Sequence, residues 1–243
     1  MTTATRTARF VTTHSILTLD ARHPFVAKSL IDAQAMHRTV MSGFYGWVED
    51  GAPDPRAQLG VLSTWSLDLK NNALVLVVQS RVAPDWSNIP SAALTSATTT
   101  LTVDMTIREG DNYTFRTVIN PTRTQATPAT GNGPRARGRR TSHTHPEHVR
   151  RWFLERSQPP GEPPVGPRGI PRIGATVEES QLSVRMLPTL SSPAPHQGLR
   201  IVRAEIKGSL VATDAHTLTT ALTNGIGRAR AYSTGLLLIR PTS

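Results

Sequence analysis

The same order of hydrophobic patterns runs through this chain twice, and that repetition restricts the fold more than any single motif. RFVTTHSILTL (9–19) is rich in β-branched and apolar residues and reads as a strand. In SLIDAQAMHRTVMSGFY (29–45), Leu30, Ala33, Met36 with His37, Val40 and Phe44 recur at helical spacing and share one face. LGVLSTWSLD (59–68) and ALVLVVQS (73–80) read as two strands joined by LKNN, a hairpin signal. PDWSNIP (84–90) is a turn, and ATTTLTVDMTI (97–107) reads as a further strand or an extended linker.

The second half repeats the order. YTFRTVINP (113–121) is a strand ended by Asn-Pro, followed by a polar, basic, glycine-containing loop over 122–145. A helix starts near Pro146, with Val149, Trp152 and Phe153 on one face. The Pro/Gly-rich stretch 158–175 reads as irregular. ATVEESQLSVRML and LRIVRAEIKGSLVAT read as strands, DAHTLTTALTNG as a helix capped by Asp214, and GLLLIR as a last strand. Each half is β-α-β-β-(α)-β, the second helix of the first half being the weakest. That order is the split βαβ unit of ferredoxin-like domains, whose four-stranded sheet is a common RNA-binding platform. The expected class is α+β, with two tandem ferredoxin-like (RRM-like) βαββαβ domains: residues 1–96, a linker at 97–111, and 112–243.

Charge narrows the partner. Lys and Arg number 27 against 17 Asp and Glu, a net +10. A GC-rich genome would account for choosing Arg over Lys, but not for the excess. A basic surface attracts polyanions, and the planar guanidinium fork suits phosphate. Between Arg135 and Arg156 seven Arg face two Glu, a net +5 in 22 residues. Such a cluster, which includes Arg137, Arg139 and Arg140, either meets a negative partner or forms a solvated loop. No apolar run reaches the ~18–20 residues that cross a bilayer. The first residues, MTTATRTARFVTTHS, lack the apolar core of a secretory signal. With no cysteine the chain fits the cytoplasm.

Three motifs bear on chemistry. GIGRARAYSTG (225–235) has three glycines and two arginines in a turn between a helix and a strand. The dinucleotide fingerprint needs the reverse order, strand then helix, so that reading fails. Gly225, Gly227, Arg228 and Arg230 form either a phosphate-binding concavity or a helix C-cap leading into a surface loop. His37 lies mid-helix; it is the best candidate for moving a proton near neutral pH, against the plainer reading of a half-buried helical histidine. HTHPEH (143–148) invites a metal reading, but no cysteine joins it and Glu147 has a simpler job at a helix N-terminus. No metal and no cofactor is expected.

Together these segments resemble the CasE family, the CRISPR RNA endoribonuclease of type I-E Cascade systems. AMHRTVMSGF (35–44) is similar to its His-Arg helix, LVLVVQSRVAPDWS (74–87) to its strand and PDWS segment, and YTFRTVINPTR (113–123) to its Asn-Pro strand. HVRRWFLER (148–156) is similar to its Trp-containing helix, and GIGRARAYSTGLLLI (225–239) to its glycine-rich signature. The resemblance spans nearly the whole chain. It implies RNA bound across both domains and metal-independent cleavage of a CRISPR repeat on the 3′ side of a stem-loop. His37 would be catalytic, with Arg38 beside it. Arg116 and Arg123 would flank the second domain's first strand, and Gly225, Gly227, Arg228 and Arg230 would form an RNA-binding turn. Gln34 stands where family members often carry a tyrosine, Val118 where a basic residue is common, and Ser233 where a glycine is; 158–171 has no counterpart.

The chemistry this implies uses the nucleophile RNA itself carries. The 2′-hydroxyl attacks the adjacent phosphorus and expels the 5′-oxygen, leaving a 2′,3′-cyclic phosphate and a 5′-hydroxyl. The implied partners are a CRISPR repeat stem-loop and other Cascade subunits, with the product RNA retained, and no membrane. The rival readings are a non-catalytic RNA-binding protein and a structural ribonucleoprotein subunit, neither of which needs His37.

Overall fold

The computed structural model describes residues 6–49, 51–124, 140–157, 170–193 and 198–242. Strands β1 (Thr7–Asp20), β2 (Leu62–Asp68), β3 (Ala73–Ser80) and β4 (Thr99–Arg108) form an antiparallel sheet in the spatial order β2-β3-β1-β4. Leu17 faces Leu76 and Leu19 faces Leu74 across the β1–β3 ladder. Because side chains alternate, these residues and Val78 share one face, where Met36, Val40, Phe44 and Trp86 complete the first core. The stretch 97–111, set aside as a linker, therefore supplies β4, which pairs with β1 from Thr7 to Ile16.

Two helices form where one was expected. α1 (Pro24–Ile31) ends at Asp32, whose backbone leaves the helical region at φ −125° and ψ 111°, and α2 (Ala33–Met41) begins immediately after. The Asp32 carboxylate accepts a 2.9 Å hydrogen bond from the Gln34 amide. An aspartate offers this local bond in competition with helix continuation, so it caps rather than continues. A 3-10 turn (Ser42–Phe44) and a one-turn helix α3 (Pro55–Gln58) lead into β2. The weak second helix of this half is only a 3-10 turn at Ser91–Ala93.

The second sheet has the same spatial order. β5 (Asn112–Ile119) lies between β11 (Leu237–Pro241) and β10 (Arg200–Ala212), and β9 (Ser183–Ser191) pairs with β10. A short β8 (Ala175–Val177) takes the remaining end of β10 at Leu210–Ala212. Helices α4 (Pro146–Leu154) and α5 (Ala215–Asn224) pack on this sheet, with Phe115 stacked on Phe153 at 5.2 Å between ring centres. A small antiparallel ribbon, β6 (Thr122–Thr124) with β7 (Arg140–Ser142), stands in the stretch read as loop. So each half carries one sheet of the expected order, in one α+β chain.

The halves are interlocked. Ala8 and Phe10 of β1 and Ile107 of β4 are buried in the second core, not the first. Burying a residue such as Phe10 is worth about 1.5–3 kcal/mol, so the extended end of the β1–β4 ribbon ties the sheets together. α5 packs against β1 and β4. Gln79 of β3 donates its side-chain amide to the Leu222 carbonyl at 2.9 Å. Nearby, the Arg203 guanidinium lies 4.4 Å from the centre of the Trp65 ring, a cation–π contact between β10 and β2. No helix among the described residues is long and apolar enough to cross a membrane.

Candidate active site at the junction of the two halves

His37 lies on the face of α2 turned away from the first core. Met36 and Val40 of the same helix enter the first core, while Ala33, one turn before His37, packs with Leu190 and Ile201 of the second half. Gln34, one turn earlier, shares the face of His37. Above both lies the turn after α5. Gln34 Nε2 donates to the Tyr232 hydroxyl at 2.9 Å, and the His37 and Tyr232 rings are 6.0 Å apart and tilted by 57°. The helix and the glycine turn, far apart in sequence, meet.

The glycine turn shows why glycine is needed. α5 ends at Gly225 with φ 73°, and its amide bonds to Ala221. A Cβ there would sit 2.9 Å from both the Gly235 carbonyl oxygen and the Leu62 side chain. At Gly227 (φ 75°) a Cβ would lie 3.1 Å from Trp152. Gly225 thus does the work of a helix C-cap and lets the turn press against β2. The next amide, of Ile226, bonds to Gly235. The turn is stapled further by Arg230, which donates to the Gly227 and Asn224 carbonyls at 3.1 and 2.8 Å. Arg228 is exposed. A hydroxyl pair, Ser63 with Ser233 at 2.9 Å, locks the turn onto β2.

Around His37 the charge is positive. Its pKa is pulled below the ordinary histidine value, by burial first and by the charges of Arg56 and Arg38; a backbone hydrogen bond at Ala231 and the charge of Asp54 oppose this. Arg38 is largely exposed and pairs with Asp32 at 3.5 Å. Arg56 was not singled out from sequence. It sits on α3, its side chain 15% exposed, donating to the Val61 carbonyl at 2.9 Å. Arg56 and Arg230 line a cleft of about 40 Å³ with Gly60, Leu62, Thr223 and Asn224. Burial, and then the charge of Arg56, pull the Arg230 guanidinium down from its usual value. Two guanidiniums that repel each other beside a histidine favour an anion between or next to them.

The other residues of the sequence reading lie on different surfaces. Arg116 is on the face of β5 opposite the core residues Phe115 and Tyr113, where its Nε donates to Glu205 at 2.7 Å. Arg185 and Lys207 also pair with Glu205, at 2.9 and 3.4 Å, so this patch keeps a net positive charge. Arg123 and Arg140 are on the β6–β7 ribbon, exposed. Arg135, Arg137 and Arg139 lie outside the described residues. The rings of His143 and His145 each stand 5.7–5.8 Å from that of His148. Among the described residues, no group of three or more His, Cys, Asp or Glu is arranged to hold a metal ion.

The site therefore belongs to a protein of two tandem ferredoxin-like halves, with a histidine from the first packed against a glycine-rich turn from the second, near a cleft lined by Arg56 and Arg230. The sequence matches the CRISPR-associated protein family over residues 14–241, and the chain belongs to that family. Its fold is that of a CRISPR endoribonuclease Cse3 bound to a 19-nucleotide RNA, with TM-score 0.71, 20% identity and coverage of 96% of this chain and 99% of that one. The Thermus thermophilus Cse3 bound to an RNA representing a pre-cleavage complex matches at TM-score 0.70 and 18% identity, over 96% and 100% of the two chains. Cas6e from Escherichia coli K-12 matches at 0.62 and 19%, over 95% and 100%. No curated protein matches by sequence.

Proposed function

We propose that this protein is a metal-independent endoribonuclease that cuts CRISPR repeat stem-loops in precursor CRISPR RNA. The observation that carries the reading is the contact of His37 with the turn at Tyr232, which puts an imidazole of lowered basicity within the field of Arg56 and Arg38. Membership of a CRISPR-associated family and the fold shared with RNA-bound Cse3 support it. A neutral imidazole takes the proton of the RNA 2′-hydroxyl. The 2′-oxygen bonds to phosphorus, the bond from phosphorus to the 5′-oxygen breaks, and the leaving oxygen takes a proton from water or from the imidazolium so formed. Proton transfer of this kind contributes typically ~10²–10⁴-fold. Holding the 2′-oxygen in line supplies the larger share, up to ~7–11 kcal/mol in ideal systems.

Arg38 and Arg56 face the developing charge on the phosphorane. Arg116, Arg123, Arg140, Arg228 and the chain segment holding Arg135, Arg137 and Arg139 grip the stem-loop backbone. The product stays bound, making the protein a lasting Cascade subunit; the fold match to a chain of a CRISPR RNA-guided surveillance complex, at TM-score 0.60, supports this part. The test is incubation with a cognate repeat RNA in EDTA. Wild type yields a 2′,3′-cyclic phosphate and a 5′-hydroxyl, and His37→Ala binds the RNA but does not cut it. Cleavage by His37→Ala at the wild-type rate overturns the reading, as does complete loss of wild-type cleavage in EDTA.

A further inference from the structure

We infer that Tyr232 is a further catalytic residue of the site at His37, its phenol donating a hydrogen bond to a non-bridging oxygen of the phosphate that His37 addresses. The inference rests on the RNA-cleaving reading of the site and adds a group to it.

Three observations converge. First, the Tyr232 oxygen accepts the Gln34 amide proton at 2.9 Å. A phenol oxygen can accept one bond and still donate its own proton. Among the described residues that O–H meets no protein acceptor, so it is available to a ligand. Second, Gln34 and His37 are one turn apart on the same face of α2, and the Tyr232 ring lies 6.0 Å from the imidazole. A phenol held by Gln34 and an imidazole one turn away border the same space, and both are only half buried. Third, the backbone is forced into place on either side. Tyr232 ends a 3-10 turn flanked by Ala229 at φ 59° and Ser233 at φ 55°, both left-handed without being glycine. Such residues cost about 1–3 kcal/mol each and persist where the surroundings over-determine them. Here Thr234 bonds to the Arg228 and Ala229 carbonyls, and Ser233 bonds to Ser63.

The surrounding charge fits the role. Arg38 and Arg56 supply cations but are themselves committed to Asp32 and to the Val61 carbonyl. A neutral donor that needs no counter-charge can follow the phosphate oxygen as its charge grows. Losing one donor of this kind in other enzymes costs about 10²–10³ in rate. The plainer alternative is packing, since Tyr232 also touches the small apolar cluster of Ala33, Leu190 and Ile201 at the junction. Tyr232→Phe keeps that packing and removes only the hydroxyl.

The experiment is single-turnover cleavage of a repeat RNA by wild type, Tyr232→Phe, Gln34→Ala, the double variant and His37→Ala, with RNA affinity and thermal midpoint measured for each. Expected is a loss of about 10²-fold in the cleavage step for Tyr232→Phe at saturating RNA, with affinity and midpoint near wild type. Gln34→Ala costs less, and adds nothing once the phenol is gone, because it acts through that hydroxyl. Cleavage by Tyr232→Phe at the wild-type rate, with His37→Ala inactive, overturns the inference and leaves the nuclease reading intact. A loss confined to RNA affinity also overturns it. Wild-type cleavage by His37→Ala removes the nuclease reading itself, and Tyr232 with it.

Discussion

Ser192, just after β9, donates its hydroxyl to the Asp32 carboxylate at 2.6 Å and accepts the Gln34 backbone amide at 3.2 Å. The N-terminus of the helix carrying His37 is thus capped jointly by its own aspartate and by a serine from the other half of the chain. Tyr232 accepts the side-chain amide of Gln34 in that same first turn. The placement of His37 is therefore a property of the docked halves, not of the first half alone.

Removing that bridge has a measurable cost. Ser192→Ala should lower stability by about 1 kcal/mol, the net worth of a hydrogen bond to a charged group reduced by partial exposure. Asp32→Ala should cost about 1–2 kcal/mol, since it loses the cap as well. Because they share one network, the double variant should cost less than the sum. Urea unfolding of the three proteins checks this, and strict additivity would show that the two residues act independently.

A second expectation concerns pH. Burial and the charges of Arg56 and Arg38 lower the His37 pKa. In the proposed reaction the neutral imidazole takes the proton, so cleavage should fall as pH drops through the His37 pKa. That acidic limb should have its midpoint below the ordinary value of about 6.5. Arg56→Ala removes one of the cations that lower it, so the limb should move upward in pH. Single-turnover rates across the pH range read both shifts, and an acidic limb unmoved by Arg56→Ala would separate Arg56 from the imidazole.

Much of this architecture was legible in the chain because it is local. The 3.6 and 2 residue periods placed β3 at its observed bounds, and most other strands and α4 and α5 within a few residues. What period cannot show is a polar residue ending a helix from within an apolar face. Asp32 broke the expected 29–45 helix because a capping bond competes with helix continuation. The same pattern left Thr99–Arg108 ambiguous between linker and strand, since its pairing with β1 is set by distant sequence. His37 and the glycine turn were visible as separate motifs. Arg56 was not, because nothing in PDPRAQ marks an arginine whose importance comes from facing Arg230 across a cleft. Tyr232 was likewise silent until the turn was seen folded against Gln34.

The Glu205 carboxylate gives a stability prediction with a defined sign. Burial pushes its pKa up, but hydrogen bonds from Arg116 and Arg185 and the charge of Lys207 outweigh burial and hold it at about 2, against 4.5 for an ordinary glutamate. A depressed carboxylate stabilises the folded state fully above the unfolded pKa and loses that contribution as pH falls from about 4.5 toward 2. Glu205→Gln should therefore cost about 2–3 kcal/mol at neutral pH and much less near pH 2. Denaturant midpoints at the two ends of this range test it; an equal penalty at both would place the loss in packing rather than charge.

The basic ribbon should control affinity without touching the chemical step. Arg140 pairs opposite Thr124 and Arg123 opposite Thr141, at the base of the segment that carries Arg135, Arg137 and Arg139. Neither arginine is near a carboxylate in the described ion pairs, so each is free to replace a counterion on the RNA backbone. Each phosphate contact of that kind contributes about 0.7–0.9 to the slope of log affinity against log salt. Arg123→Ala with Arg140→Ala should therefore flatten the slope by about 1.5 while leaving cleavage at saturating RNA unchanged. Titrations at several salt concentrations measure the slope, and single-turnover assays measure the rate. A full wild-type slope in the double variant would mean the ribbon faces solvent in the complex, and a lost cleavage rate would move these arginines into the catalytic cleft.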